Sequence, residues 1–221
     1  ARSMREPSRE SMDPPTPSVL RKISGDDDDD KYAKREREQE WLGMPVGVLK
    51  ERVGVLTGLM VVQSLSGIIL SQFEELIKNH VVVTLFLTML VGAGGNAGNQ
   101  STVNVIRGLA TGSITGATAA KVIFTEAKIG IVLGTVLACV AGLRVVLTGG
   151  DVVSAAAIGA SVLCIVATST AAGAVLPVML ARNGIDAAHA GPVIQVLMDI
   201  LGVTITCLIC SGLFSLLGAP E

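Results

Sequence analysis

Residues Val152–Ala181 read VVSAAAIGASVLCIVATSTAAGAVLPVMLA, 30 positions without one charged side chain. A bilayer core about 30 Å thick is crossed by roughly 20 mostly apolar residues in a helix. Only a helix or a closed barrel satisfies its own backbone hydrogen bonds in that medium. The run is therefore read as a membrane helix, long enough that it must tilt, bend near Pro177 or protrude. Working outward, Pro192–Leu217 follows it, and Ile129–Leu147, a segment starting at Val81, and Val53–Phe73 precede it. The segment from Val81 is apolar to Val91, then Gly-rich and polar through Asn104. The predicted fold is an all-α integral membrane protein with five transmembrane helices over residues 53–218.

The charges support that division. Of 36 Lys, Arg, Asp and Glu residues, 23 fall within the first 52 positions, leaving 13 for the rest. Residues 1–40, with the run Asp26–Asp30, are too polar to bury a core and are expected to be a disordered charged tail. Residues 41–52 mix charge with Trp41 and Leu42, as in an interfacial helix anchored by its aromatic ring. Eleven Lys or Arg residues lie in the first 52 positions and four in the loops after the second and fourth segments, against Lys78 and Arg144 on the other side. That bias puts the tail on the cytosolic side of a multi-pass protein. A net charge of −2 argues against a nucleic-acid partner. Cys139, Cys164, Cys207 and Cys210 all sit in apolar runs and read as small helix-packing residues.

Asp199 is the charge placed deepest in an apolar segment. A carboxylate there costs about 2.5–3.5 kcal/mol on insertion scales, so it should face water or protein. At helical spacing Gln195, Gly202 and Thr206 share its face. Two readings stand: a locally paired or interfacial acid, or a ligand for a mobile cation or proton. A second cluster is Gly94-Gly95-Asn96-Ala97-Gly98-Asn99-Gln100-Ser101, with Asn104 and Arg107 beyond. Gly94 and Gly98 form a G-x-x-x-G that lets another helix approach. Asn96, Asn99 and Gln100 share a face, and their carbonyl oxygens suit a cation that keeps its water shell; the alternative is interhelical amide glue. Glu74 and Glu75 form either a cation-attracting vestibule or a solvated helix end. Asp186, in a loop, could cap the fifth helix or bind a cation. His80 and His189 suggest no role.

The Gly94–Ser101 string, followed by Arg107-Gly108-Leu109-Ala110 and Gly112, resembles the second-helix signature of the MgtE family of magnesium channels and transporters. Leu176-Pro177, Gly184-Ile185-Asp186 and Gly191-Pro192, with Asp199 seven residues on, resemble that family's fourth and fifth helices. Ser71-Gln72-Phe73-Glu74-Glu75 is similar to the end of its first. The likeness runs over residues 45–218. It implies a five-helix domain that dimerises, with the ion path at or near the protomer interface and Asp199 at the place of the pore carboxylate that holds hydrated Mg2+. Departures are Gln195 and Val196 where the family has hydroxyl residues, and Met198 where it has a small or amide residue. Ser113 stands in place of Glu and Ala187 in place of Pro, and a short charged tail is expected where the family's bacterial members carry cytosolic sensing domains.

The function expected is therefore a permease or channel for Mg2+ or a related divalent cation, in a homodimer, with no cofactor and the ion itself as cargo. Asp199, Asn96, Asn99, Gln100 and Gln195 would hold the hydrated ion. Gly94, Gly95, Gly98, Ser101, Asn104, Gly191, Pro192, Gly202 and Thr206 would line the path or pack helices. The alternatives are an exchanger coupled to Na+ or H+ and a non-transporting scaffold. No nucleophile–base pair, nucleotide loop or metal–His cluster points to an enzyme.

Overall fold

The structure, a computed structural model, describes residues 46–217. The tail over 1–40 and Trp41 lie outside the described residues. By packing, the described residues from Val55 onward form one unit, and those before it belong to another, smaller one. The described part of the smaller unit is the helical start of α1 (Val46–Gln63). The chain continues as α2 (Leu65–Gln72), α3 (Glu74–Asn79), α4 (Val81–Ala110) and α5 (Ala119–Leu147). It ends in α6 (Val152–Arg182), a 3-10 turn (Ala187–His189) and α7 (Ala190–Leu217). Five stretches are long and apolar enough to cross a membrane, and no strand occurs among the described residues.

Several boundaries move from those expected. The first apolar segment is interrupted at Ser64, where the Ser64 hydroxyl donates to the Val61 carbonyl at 2.6 Å and Ser66 to that of Gln63 at 2.7 Å. Such back-bonding competes with the helical ladder. The Gly-rich string stays within the second segment, as expected, and α4 runs on past Asn104 to Ala110. The third helix begins at Ala119, ten residues before Ile129, and draws Glu126 into the membrane body.

α6 is the centre of the bundle, packed along α4, α5 and α7, while α2 rests on α7. Without a hydrophobic drive between helices in lipid, association depends on close packing and hydrogen bonds, which small residues permit. The contacts follow that rule. A Cβ on Gly134 would lie 3.0 Å from the Leu163 carbonyl oxygen, and one on Gly159 would lie 3.2 Å from that of Ala138. The buried side of α5 carries Glu126, Gly130, Gly134, Ala141 and Val145. Its opposite side exposes Val132, Val136, Val140, Leu143 and Leu147, a stripe for acyl chains. Cys207 and Cys210 are buried as expected, whereas Cys139 and Cys164 are exposed.

Candidate functional site

In α7, Gln195 and Asp199 are one helical turn apart, so their side chains meet. Gln195 Nε2 donates to Asp199 Oδ1 at 3.1 Å. Asn99 of α4 donates from Nδ2 to Gln195 Oε1 at 3.3 Å. The other Asp199 oxygen, Oδ2, accepts from Gln63 Nε2 at the end of α1. The result is a line of side chains, Asn99–Gln195–Asp199–Gln63, joining three spans around one half-buried carboxylate. Both carboxylate partners are neutral amides, and no cation pairs with Asp199 among the described residues. A carboxylate offers about four acceptor positions, so roughly half stay open.

The close approach of α4 and α7 has a sequence cause. Gly95 leaves room for the Gln195 amide, since a Cβ there would come within 2.6 Å of Nε2 and 2.8 Å of Cδ. Gly202 lets Val91 approach in the same way, at 3.1 Å. On the α6 side, Gly94 faces Ile165, and Gly98 lies against Ser169 and Gly173. Thr102 Oγ1 donates to the Gly173 carbonyl at 3.0 Å, and Ser169 Oγ donates to that of Gly94. One face of α4 is thus spent on packing.

The other face opens on a cleft of about 560 Å³ lined by Asn96, Asn99, Gln100, Val103 and Asn104. Asn96 and Gln100 are exposed to it, and Asn99 connects it to the Asp199 line. Neutral amide oxygens beside a carboxylate can accept hydrogen bonds from water around a hard cation.

The remaining expected residues are distributed as follows. Ser101 is buried and donates to Glu126 Oε2 at 2.8 Å, and Asn104 Nδ2 approaches Oε1 at 3.5 Å. Thr206 is buried with its hydroxyl on the Gly202 carbonyl at 2.7 Å, so Gly202 and Thr206 belong to helix packing. A Cβ on Gly191 would stand 3.8 Å from Asn99 Oδ1, and Pro192 is exposed. Asp186 caps the 3-10 turn by accepting from the Ala188 N–H at 2.9 Å. Glu74 pairs with Lys78 at 2.6 Å on an exposed surface. Glu75 lines a separate cleft of about 640 Å³ with Asn79, His80 and Ser211.

Two residues escaped the sequence reading. Gln63 is an amide at the middle of the first apolar run, Val53–Phe73, which was its available signal. Glu126 lies between Lys121 and Lys128 and was counted with a loop; its spacing of four from Gly130 and eight from Gly134 was the clue. Glu126 is 8% exposed, and its carboxyl group stays in the membrane body because Ser101 and Asn104 supply hydrogen bonds.

The MgtE family, described as divalent cation transporters, matches residues 87–209. The chain belongs to the MgtE family. It is 29% identical over 181 residues to the magnesium transporter MgtE of Bacillus subtilis, covering 81% of this chain and 40% of that protein. It is 31% identical over 162 residues to the magnesium transporter MgtE of Thermus thermophilus, covering 73% of this chain and 36% of that protein. The chain thus spans about two fifths of the length of these relatives. The MgtE match contains α4 from Leu87 onward, all of α5 and α6, and α7 to Ile209; Gln63, the α1 partner of Asp199, lies before it. With its five spans, this MgtE member is a multi-pass integral membrane protein.

Proposed function

We propose that the chain conducts hydrated Mg2+, or a closely related divalent cation, across the membrane, with Asp199 as the carboxylate that the ion meets. The observation that carries this reading is the half-buried Asp199 held by amides alone. A fixed Lys or Arg would neutralise the acid; Gln63 and Gln195 orient it and leave its charge for a mobile partner. Asn96, Asn99 and Gln100 line the adjoining cleft. Mg2+ sheds water reluctantly, so amide and carboxylate oxygens contacting its water shell are a chemically suitable lining.

One carboxylate carries one charge and the ion carries two. A two-fold dimer would bring two Asp199 side chains to a common axis, and closed two-fold dimers are the commonest oligomers. The relatives named above are magnesium transporters, which favours Mg2+ as cargo over catalysis. The excess of Lys and Arg in the tail and two of the loops puts the N-terminus on the cytosolic side.

The decisive experiment is ion flux into liposomes containing the purified chain, with Co2+, Mn2+ and Ca2+ as competitors. Asp199→Ala and Asp199→Asn should each reduce Mg2+ uptake at least tenfold. Full uptake in both variants would remove Asp199 from the path.

A further inference from the structure

α4 and α5 each pack along α6 and scarcely touch each other. Between them lies a groove of about 320 Å³ that shares no lining residue with the Asp199 line. Met89 and Ala93 of α4 form one wall and Leu137 and Val140 of α5 the other, with Val162 of α6 as the floor. At one end stands Arg144, whose guanidinium reaches towards the Phe86 ring on α4, 6.0 Å from its centroid.

The depths of these residues form a gradient. α4 begins, α5 ends and α6 begins at the same face of the bundle. Arg144 lies three residues before the end of α5, so about 5 Å below that face at 1.5 Å per residue. By the same rise Met89, Leu137, Val162 and Ala93 lie about 12 to 18 Å below it. A cation at headgroup level above an apolar slot at acyl-chain level matches a phospholipid in both charge and length. The cation is available. Asp151, the acid in the adjoining loop, accepts from the Val153 and Ser154 N–H groups at 3.1 and 3.4 Å. Arg144 forms no ion pair among the described residues.

We propose that this groove binds one anionic phospholipid per protomer, its phosphate on Arg144 and one acyl chain between Ala93, Val140 and Val162. Lys128 provides an internal control. It is another α5 cation set over an aromatic ring, 4.5 Å from the Phe124 centroid, and it lines no part of the groove.

The test is native mass spectrometry of the purified full chain with phosphatidylglycerol or phosphatidylcholine of identical acyl chains. The wild type should retain one phosphatidylglycerol per protomer about fivefold more tightly than phosphatidylcholine, the advantage of one surface cation for an anionic headgroup. Arg144→Gln should abolish the preference while leaving phosphatidylcholine binding unchanged, and Lys128→Gln should keep it. Ala93→Phe, which fills the slot, should reduce retention of both lipids; if that variant fails to fold, the Arg144 and Lys128 pair still decides. Three results overturn the proposal: no preference in the wild type, a preference surviving Arg144→Gln, or an equal loss in Lys128→Gln. A lipid-free wild-type oligomer that Ala93→Phe splits would make the groove a contact between copies of the chain, and would overturn it as well.

Discussion

Gly173→Ala is the sharpest test of how the α4 and α6 packing supports the site. A Cβ at Gly173 would press on the Gly98 carbonyl oxygen and lie 3.0 Å from its carbon and 3.1 Å from Cα. Ordinary carbon contacts are about 3.5–4.0 Å, so the helices must part by about 0.5–1 Å. All three atoms are backbone, and no rotamer change relieves the clash. Overpacking of this kind costs about 1–3 kcal/mol. Parting the helices also weakens the Thr102 bond to Gly173 and the Ser169 bond to Gly94, about 0.6 kcal/mol each inside a membrane protein. Alanine returns up to about 1 kcal/mol of helix propensity, leaving a net loss of about 1–3 kcal/mol. Gly212→Ala is the control, because no atom lies within 4 Å of a Cβ there; it should be neutral or gain up to about 1 kcal/mol. Buried Cys207 and Cys210 supply the assay, as thiol labelling against rising SDS in mixed micelles reports opening of the bundle. Gly173→Ala as stable as Gly212→Ala would refute the account of α4 and α6 as backbones in contact.

Two further expectations follow from single side chains. Glu126→Gln keeps acceptor and donor atoms that Ser101 and Asn104 can satisfy by rotating, and should stay within about 1 kcal/mol of the wild type, whereas Glu126→Ala leaves a void and an unpartnered hydroxyl and should lose about 2–3 kcal/mol in the same labelling assay; equal losses would refute the hydrogen-bond account. Asp151 caps α6, and its carboxyl is held below its ordinary value near 3.8, first by the Ser154 side-chain hydrogen bond; burial, the next largest effect, opposes this, and the Ser154 and Val153 N–H groups lower it further. A depressed value in the folded state stabilises the fold above 3.8, and that contribution is lost as the pH falls from there through the folded-state value. Asp151→Ala should therefore cost about 1 kcal/mol at neutral pH and little in acid, a thermal-denaturation difference that should narrow as the pH drops; a gap that stays constant would sink the assignment.

The five spans were legible because hydropathy reports the medium each segment must tolerate. Boundaries were less legible where polar residues turn inward. Lys121, Glu126 and Lys128 lower the hydropathy of the start of α5, so Ile129 appeared as its first apolar residue. In the structure Glu126 is satisfied by Ser101 and Asn104, and Lys128 stacks on Phe124, so the helix begins earlier. The polar half of α4 was legible as a helix, because its amides recur at helical spacing. Its amides occupy one face while Gly94, Ala97, Gly98, Ser101 and Thr102 bury the other, and that division needs a helix to exist. Within the site, Gln195 was legible because it is four residues from Asp199. Gln63 was not, since 136 residues separate it from the carboxylate it contacts and no local period encodes that meeting.

The glycines and amides of the Gly94–Ser101 string are therefore parts of one arrangement. Gly94 and Gly98 bring α4 against α6, and Gly95 admits the Gln195 amide from α7. Only because that amide enters can it accept from Asn99 and donate to Asp199. A methyl group at position 95 would occupy the place of Nε2 and Cδ, from which it would stand 2.6 and 2.8 Å. Gln195 would then have to release Asn99, Asp199 or both. A bulkier residue at 95 would change the orientation of the carboxylate without touching it. The small-residue face thus sets where the amide line runs, and the amide line sets the orientation of the Asp199 carboxylate.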